Sequence, residues 1–151
     1  MANTKTVLFA DDEQHYLEPL KFKIEALGYR VLTASTVADA IGLLKSTVVD
    51  VLVLDIMMDP GGELRGKLNP SLAGFQALDL IIKTSPKTPI ICLSVMEDPA
   101  ILKEVKKRGV VFIGKGETSL RKVASIIESK VTGVIRDSDL RGRRGRKWEV
   151  R

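Results

Sequence analysis

Five short apolar runs constrain any fold of this chain more than any other feature: Thr6–Ala10, Tyr29–Thr33, Val51–Leu54, Ile90–Leu93 and Val110–Ile113. All are rich in Val, Ile and Leu, and most show no alternation of apolar with polar residues. A strand that is apolar on both sides is one covered on both faces, which points to a parallel sheet with helices on either side. Parallel neighbours need a crossover between them, usually a helix. The segments between the runs have helical period and enough length to supply one.

The first of these segments, about 14–27, puts Leu17, Leu20, Ile24 and Leu27 on one stripe, and Gly28 follows as a stop signal. Pro19 falls early in it, where a missing N–H costs least. The second, about 37–46, starts at Thr36-Val-Ala-Asp39, a capping box with Asp as its acid. The third, about 74–84, carries Phe75, Leu78, Ile81 and Ile82. The fourth opens at Asp98-Pro99, an N-cap followed by proline at the first helical position, and ends at Gly109. The fifth, about 117–131, carries Leu120, Val123, Ile126 and Ile127. Five β–α pairs in alternation predict one doubly wound α/β domain over residues 1–131, with right-handed crossovers. One interval is anomalous. Residues 59–73, DPGGELRGKLNPSLA, separate a strand from its helix, where such loops usually run about 2–6 residues.

Composition narrows the class. The 151 residues suffice for one ordinary domain without disulfide or metal staples. There is no apolar run of the length a transmembrane helix requires, so no membrane partner is expected. The N-terminus MANTKTVLFADDE does not read as a signal peptide, because acids interrupt its short apolar run. Cys92, the single cysteine, lies within PIICL and reads as a buried, inert thiol. A cytoplasmic protein is expected. The net charge of +5 is uneven: residues 136–151, RDSDLRGRRGRKWEVR, hold seven basic and three acidic residues and so contribute +4 of it. Residues 132–151 are therefore expected to form a basic, disordered tail. Its arginines could track a nucleic-acid backbone and Trp148 stack on a base, a secondary reading beside that of a solvated tail. No helix-turn-helix unit follows the domain, which argues against sequence-specific DNA binding.

Ligands of open α/β sheets bind beyond the carboxyl ends of the strands. Asp11, Asp12 and Glu13 follow the first run, Asp55 ends the third, Ser94 ends the fourth and Lys115 follows the fifth. The second run leads into Ala34-Ser35-Thr36, which reads as capping chemistry only. Taken singly, each has an ordinary explanation: Asp-Asp-Glu as a helix-start acid cluster, Ser94 as a cap, Lys115 as a surface lysine. Asp55 is already unusual, because an ionised carboxylate ends a wholly apolar run. Together they form a physical unit. One pair of carboxylates at ~4 Å repels by about 4 kcal/mol at an effective dielectric near 20. A hard divalent cation such as Mg²⁺ relieves that repulsion. A lysine and a hydroxyl facing the cation and a carboxylate could hold phosphoryl oxygens.

These residues, in this order, resemble the receiver domain of two-component response regulators, of the chemotaxis-regulator type. The matching pieces are VLFADDE at 7–13, VLVLDIMM at 51–58, GFQALDLI at 74–81, PIICLS at 89–94 and FIGK at 112–115, within residues 5–130. The resemblance implies a flavodoxin-like sheet of five parallel strands in the order 2-1-3-4-5. It implies that Asp55 is the phosphoacceptor, that Asp12 and Asp55 bind Mg²⁺ directly with the backbone carbonyl of Met57, and that Asp11 does so through water. It implies that Lys115 contacts the phosphoryl oxygens, with Ser94 as switch hydroxyl and Phe112 as switch aromatic. Ser94 would move toward the phosphoryl group and Phe112 into the space vacated. The implied partners are a sensor histidine kinase or phosphotransfer protein as donor and a downstream effector protein, with a second copy in a homodimer as an alternative partner. No turnover of an external substrate is implied.

The chain departs from the family pattern at several places. Gly116 stands where the family usually has proline after the lysine, which predicts a looser loop without a cis-proline. Val95 stands where Ala or Gly usually follows the switch hydroxyl. The family's Met-Pro step is Met58-Asp59-Pro60 here, and the pattern resumes only at Gly74, which makes 59–73 an insertion. Gly61-Gly-Glu-Leu64 offers a rival alignment without the helical stripe. Asp59, Glu63, Arg65 and Lys67 could reach the site or a partner, and a mobile flap is an equal alternative. Other chemistries fit less well. A haloacid-dehalogenase-like phosphohydrolase needs an acid where Met57 stands. A P-loop read into residues 109–116 would run through the strand VVFI and lacks the Ser/Thr after the lysine. A receiver that docks without being phosphorylated is the remaining rival. His15 reads as an exposed helix residue, or at most a pH modulator.

Overall fold

The computed structural model describes residues 4–133. The N-terminal three residues and residues 134–151, which include almost all of the expected basic tail, lie outside the described residues. Five strands form one parallel sheet: β1 (Thr6–Ala10), β2 (Arg30–Ala34), β3 (Val51–Leu54), β4 (Ile90–Ser94) and β5 (Val111–Gly114), in the order β2-β1-β3-β4-β5. The expected strand order is therefore the observed one. Around it pack α1 (Gln14–Ala26), α2 (Val37–Ser46), α3 (Ala73–Gln76), α4 (Leu78–Thr84), α5 (Pro99–Lys107) and α6 (Leu120–Thr132).

Successive strand residues face opposite sides, and this divides the core in two. Val7 and Phe9 of β1, Val51 and Val53 of β3, and Ile91 and Leu93 of β4 face one side. There they pack on Leu17, Leu20 and Ile24 of α1 and on Val123, Ile126 and Ile127 of α6. Leu8, Ala10, Leu52, Leu54 and Cys92 face the other side and pack on α2, α4 and α5 through Val37, Ala40, Leu78, Ile81 and Val105. Such burial on both faces explains the lack of polar alternation in these runs. β2 is the exception: it is a sheet edge, and Arg30 and Thr33 are exposed.

Several boundaries differ from the expected ones for local reasons. β4 and β5 run one residue further because Ser94 pairs with Gly114 and its carbonyl accepts the Lys115 N–H at 2.9 Å. β2 runs to Ala34, which pairs with Ala10. The last helix begins at Leu120 rather than near 117, because Ser119 is its cap and accepts the Lys122 N–H at 3.2 Å. The expected helix over 74–84 is two short pieces that meet at Ala77, which ends α3 and precedes α4. The caps read from sequence are in place elsewhere. Thr36 accepts the Asp39 N–H at 3.1 Å, and Asp98 accepts the Ala100 N–H at 2.9 Å ahead of Pro99.

The insertion folds back onto the start of α2. The Asp59 and Pro60 carbonyls accept the N–H groups of Val37 and Ala38, at 3.0 and 2.9 Å. Gly61 lies so close to Thr36 that a Cβ there would stand 2.4 Å from the Thr36 Cβ, so only glycine fits. A turn of 3₁₀ helix follows at Gly62–Leu64, and Leu64, Leu68 and Leu72 pack partly buried on the α2/α4 side of the core. The Asn69 N–H donates to Gln76 Oε1 at 2.7 Å and ties the segment to α3. The segment is thus anchored at both ends, against the flap alternative.

Candidate functional site

Hydrogen bonding at the sheet's carboxyl edge fixes the backbone that presents the site. The Asp55 N–H continues the β1–β3 ladder to the Ala10 carbonyl at 2.9 Å, and the Asp11 N–H continues β1–β2 to the Ala34 carbonyl at 3.0 Å. Both carboxylates therefore leave the sheet from neighbouring strands, the central β3 and β1 beside it. Asp11 and Asp55 are each only 3% exposed, and Ser94 is fully buried. Gly74 comes so close behind Asp55 that its N–H donates to the Ile56 carbonyl at 2.9 Å.

Every strand-end residue singled out from sequence is brought together here. The Lys115 ammonium donates to Asp11 Oδ2 at 2.8 Å, to Asp55 Oδ2 at 2.9 Å and to Glu13 Oε1 at 2.9 Å. The Ser94 hydroxyl donates to Asp55 Oδ1 at 2.6 Å, and the Met57 N–H donates to the same oxygen at 3.1 Å. Ser94 is thus in direct contact with Asp55. Asp11 Oδ1 accepts the Glu13 N–H at 2.8 Å. Asp12 is exposed at the mouth, and its Oδ2 accepts the Asp59 N–H at 3.2 Å. Phe112 is partly buried against the α2/α4/α5 core. His15 is exposed, as expected.

The electrostatics follow from burial and from the imbalance of charge. Loss of hydration raises the Asp11 carboxyl to about 6, although its bonds to Lys115 and to the Glu13 N–H pull the other way. Burial also raises Asp12, and the charges of Asp55 and Glu13 add to the rise. Burial draws the Lys115 ammonium down, but its bonds to Asp11, Asp55 and Glu13 outweigh that and raise it, so it stays charged. Four acids thus face one ammonium, which pairs with three of them and not with Asp12.

That arrangement suits a hard divalent cation. Among the described residues, Asp11, Asp12 and Asp55 offer carboxylate oxygens that all lie within 4.8 Å of one another. The donors are oxygens, the set is short of positive charge, and Asp12 opens to solvent, which matches the preference of Mg²⁺ for carboxylates and water.

Four contacts could not be read from sequence. The Tyr16 hydroxyl accepts the Gly116 N–H at 3.0 Å, and the Lys115 ammonium lies 5.1 Å from the Tyr16 ring centroid. Gly116 has φ +79°, where an L side chain is strained, and the loop expected to be loose is held by Tyr16. The Glu13 carboxylate serves Lys115 rather than only the helix start. The Asp59 amide reaches Asp12 from the insertion. The absence of proline after Lys115 was the one available signal, since only a non-proline residue has an N–H to donate there. Cys92 is fully buried and its thiol is pushed up to about 12, chiefly by burial, so it takes no part.

Comparison with known proteins agrees with this fold. Residues 7–127 match the family model described as the response regulator receiver domain. The response regulator GtcR of Aneurinibacillus migulanus is 34% identical over 91 residues, which cover 60% of this chain and 33% of that protein. The chain spans about a third of the length of the first curated relatives it matches. A CheY-like receiver domain protein from Methanospirillum hungatei JF-1 shares the fold with a TM-score of 0.71 at 18% identity, over 93% of this chain and 100% of that one. A response regulator from Burkholderia pseudomallei, with a phosphorylated aspartic acid, a calcium ion and citrate, aligns with a TM-score of 0.63 at 16% identity, over 83% of this chain and 72% of that one. No helix among the described residues is long and apolar enough to cross a membrane.

Proposed function

Because this chain belongs to the response regulator receiver family, we propose that it is a phosphoacceptor signalling module in which Asp55 takes a phosphoryl group from a partner's phosphohistidine. The observation that carries this reading is Asp55 itself: it is buried and gripped on one oxygen by Ser94 and on the other by Lys115, beside two further carboxylates. Both grips are donors that a phosphoryl group's oxygens can use in place of the carboxylate's.

Asp12 and Asp55, with the Met57 carbonyl and with Asp11 through water, would hold Mg²⁺. When bound, the cation neutralises charge on the transferring phosphoryl oxygens. One oxygen of Asp55 attacks phosphorus in line as the bond to the donor nitrogen breaks; the donor ring, protonated on its other nitrogen, leaves as a neutral imidazole, and Asp55 carries an acyl phosphate. Lys115 exchanges its bond to Asp55 for one to a phosphoryl oxygen and keeps Asp11 and Glu13 as its anchors. Ser94 transfers its hydroxyl proton contact in the same way, and Phe112 follows into the space released beside it. The added charge biases the α5–β5–α6 face toward the form that an effector protein, or a second copy, reads. To swing that population from 1:99 to 99:1 takes about 5.5 kcal/mol of preference. Water later hydrolyses the acyl phosphate. The chain turns over no external substrate in this reading, and it acts in the cytoplasm, where a kinase presents its donor.

The test is direct. The intact protein is incubated with Mg²⁺ and a small acyl-phosphate donor and weighed by mass spectrometry, beside Asp55→Asn. One phosphoryl group gained by the wild type alone supports the proposal. Equal gain in both proteins, or none in either, removes it.

A further inference from the structure

We infer that Arg65, on the insertion, is a positioning residue for the cation site, acting through Asp59 on Asp12. The inference rests on the proposed role of Asp12 as a metal ligand and assigns the insertion a part in it. The chain of contacts is continuous. Arg65 grips the Asp59 carboxylate with two prongs, Nη2 to Oδ2 at 3.1 Å and Nε to Oδ1 at 3.4 Å. Asp59 Oδ1 also accepts the Gly61 N–H at 2.9 Å, which closes a tight turn at the root of the insertion. Together with the bond from the Val37 N–H at the start of α2 to the Asp59 carbonyl, that turn fixes the Asp59 backbone, whose N–H, on the preceding peptide group, donates to Asp12 Oδ2 at 3.2 Å.

Asp12 needs such a holder more than its neighbours do. Asp11 and Asp55 are buried and fixed by Lys115, and Asp55 also by Ser94. Asp12 is exposed, has no part in the Lys115 cluster, and has the Asp59 N–H as its contact with another loop. A carboxylate ligand oriented by an outer hydrogen bond gives up less rotational freedom when a cation arrives. The Asp59–Arg65 pair is solvent-exposed, so its own worth to folding is small. Its effect therefore falls on ligand geometry rather than on stability. The charges of Asp59 and Arg65 also cancel beside the mouth, so the insertion brings its amide to Asp12 without adding a fifth uncompensated acid.

Mn²⁺ binding to the full chain, read by the loss of the free ion's electron paramagnetic resonance signal, tests this without any phosphoryl transfer. The proteins are the wild type, Asp55→Asn, Arg65→Ala, Arg65→Lys and the double variant Asp59→Asn/Arg65→Ala, each with its metal-free thermal midpoint. Arg65→Ala is expected to weaken Mn²⁺ binding about tenfold, the lower end for loss of an outer hydrogen-bonded partner, with the metal-free midpoint unmoved. Arg65→Lys, which keeps the charge without the two-pronged grip, falls between, and the double variant is no weaker than Arg65→Ala. Wild-type affinity in Arg65→Ala overturns the inference. So does a matched fall in affinity and midpoint, which marks a merely structural pair. If the wild type itself fails to bind Mn²⁺, or Asp55→Asn binds as well as it does, the failure lies with the phosphoacceptor reading instead.

Discussion

Gly74→Ala adds one methyl group behind the site, and its consequence can be worked out from the close approach of α3 to the end of β3. A Cβ at Gly74 would stand 2.1 Å from the Asp55 carbonyl oxygen and 2.9 Å from the Ile56 Cα. Ordinary carbon contacts begin at roughly 3.5 Å, so α3 and the Asp55–Ile56 backbone must separate by more than about 1 Å. Both partners are backbone, so no side-chain rotation relieves the clash. The Gly74 N–H bond to the Ile56 carbonyl is strained by the same movement. Overpacking of this kind costs about 1–3 kcal/mol, against a gain of up to about 1 kcal/mol from replacing glycine in a helix. We expect a net loss of about 1 kcal/mol. For a domain of this size that lowers the thermal midpoint by roughly 4 °C. Gly42→Ala is the internal control: that glycine lies within α2 and a Cβ there meets nothing within 4 Å, so the same substitution is expected to raise the midpoint. Differential scanning calorimetry of the three proteins decides the matter. A Gly74→Ala midpoint at or above that of the wild type would refute the argument that α3 is wedged against the strand that presents Asp55.

Three further outcomes are expected. Gly116→Pro removes the N–H that Tyr16 accepts and forbids φ +79°, so it should destabilise by about 3 kcal/mol or more, while Tyr16→Phe, which loses the one hydrogen bond, costs about 1 kcal/mol; urea unfolding distinguishes them. The Cys92 thiol, raised from 9.0 to about 12 by burial, should resist iodoacetamide in the native protein at pH 8 and react once urea unfolds it; because the folded value is the raised one, its contribution to stability is full below pH 9.0 and declines above it, a slope that Cys92→Ala should lack. Val95, more than half exposed beside Ser94, should slow access of water to the acyl phosphate, so Val95→Ala is expected to dephosphorylate faster in a mass-spectrometric time course; equal rates would count against that role.

The parts of this protein that sequence revealed are those where one residue's burial dictates its type. β1, β3 and β4 are covered on both faces, so their apolar runs marked both the strands and the points where they end, and hence Asp11, Asp55 and Ser94. β2 was placed one residue early because an edge strand with exposed Arg30 and Thr33 obeys no such rule. The break at Ala77 left no trace in the periodicity, since both pieces keep the stripe from Phe75 to Ile82. Contacts between distant segments were hidden for a different reason. Tyr16 and Gly116 are separated by 100 residues, and Asp59 and Asp12 by 47. In each case a backbone N–H is the donor, and a backbone group carries no identity in the sequence. The insertion illustrates the same limit: its charged residues could be counted, but not its zipper onto α2.

That zipper leaves the crown of the insertion with local bonds only. Residues 66 and 67 are exposed, Gly66 turns with φ +81°, the Lys67 N–H closes the turn on the Leu64 carbonyl at 3.0 Å, and the fastenings to other segments lie to either side, at Asp59–Arg65 and at Asn69–Gln76. Doubling the length of such a loop costs only about 0.6 kcal/mol. A guest peptide or fluorophore spliced between Gly66 and Lys67 would therefore ride beside the acidic site, two hydrogen-bonded steps from Asp12, as an optical gauge of what occupies the pocket.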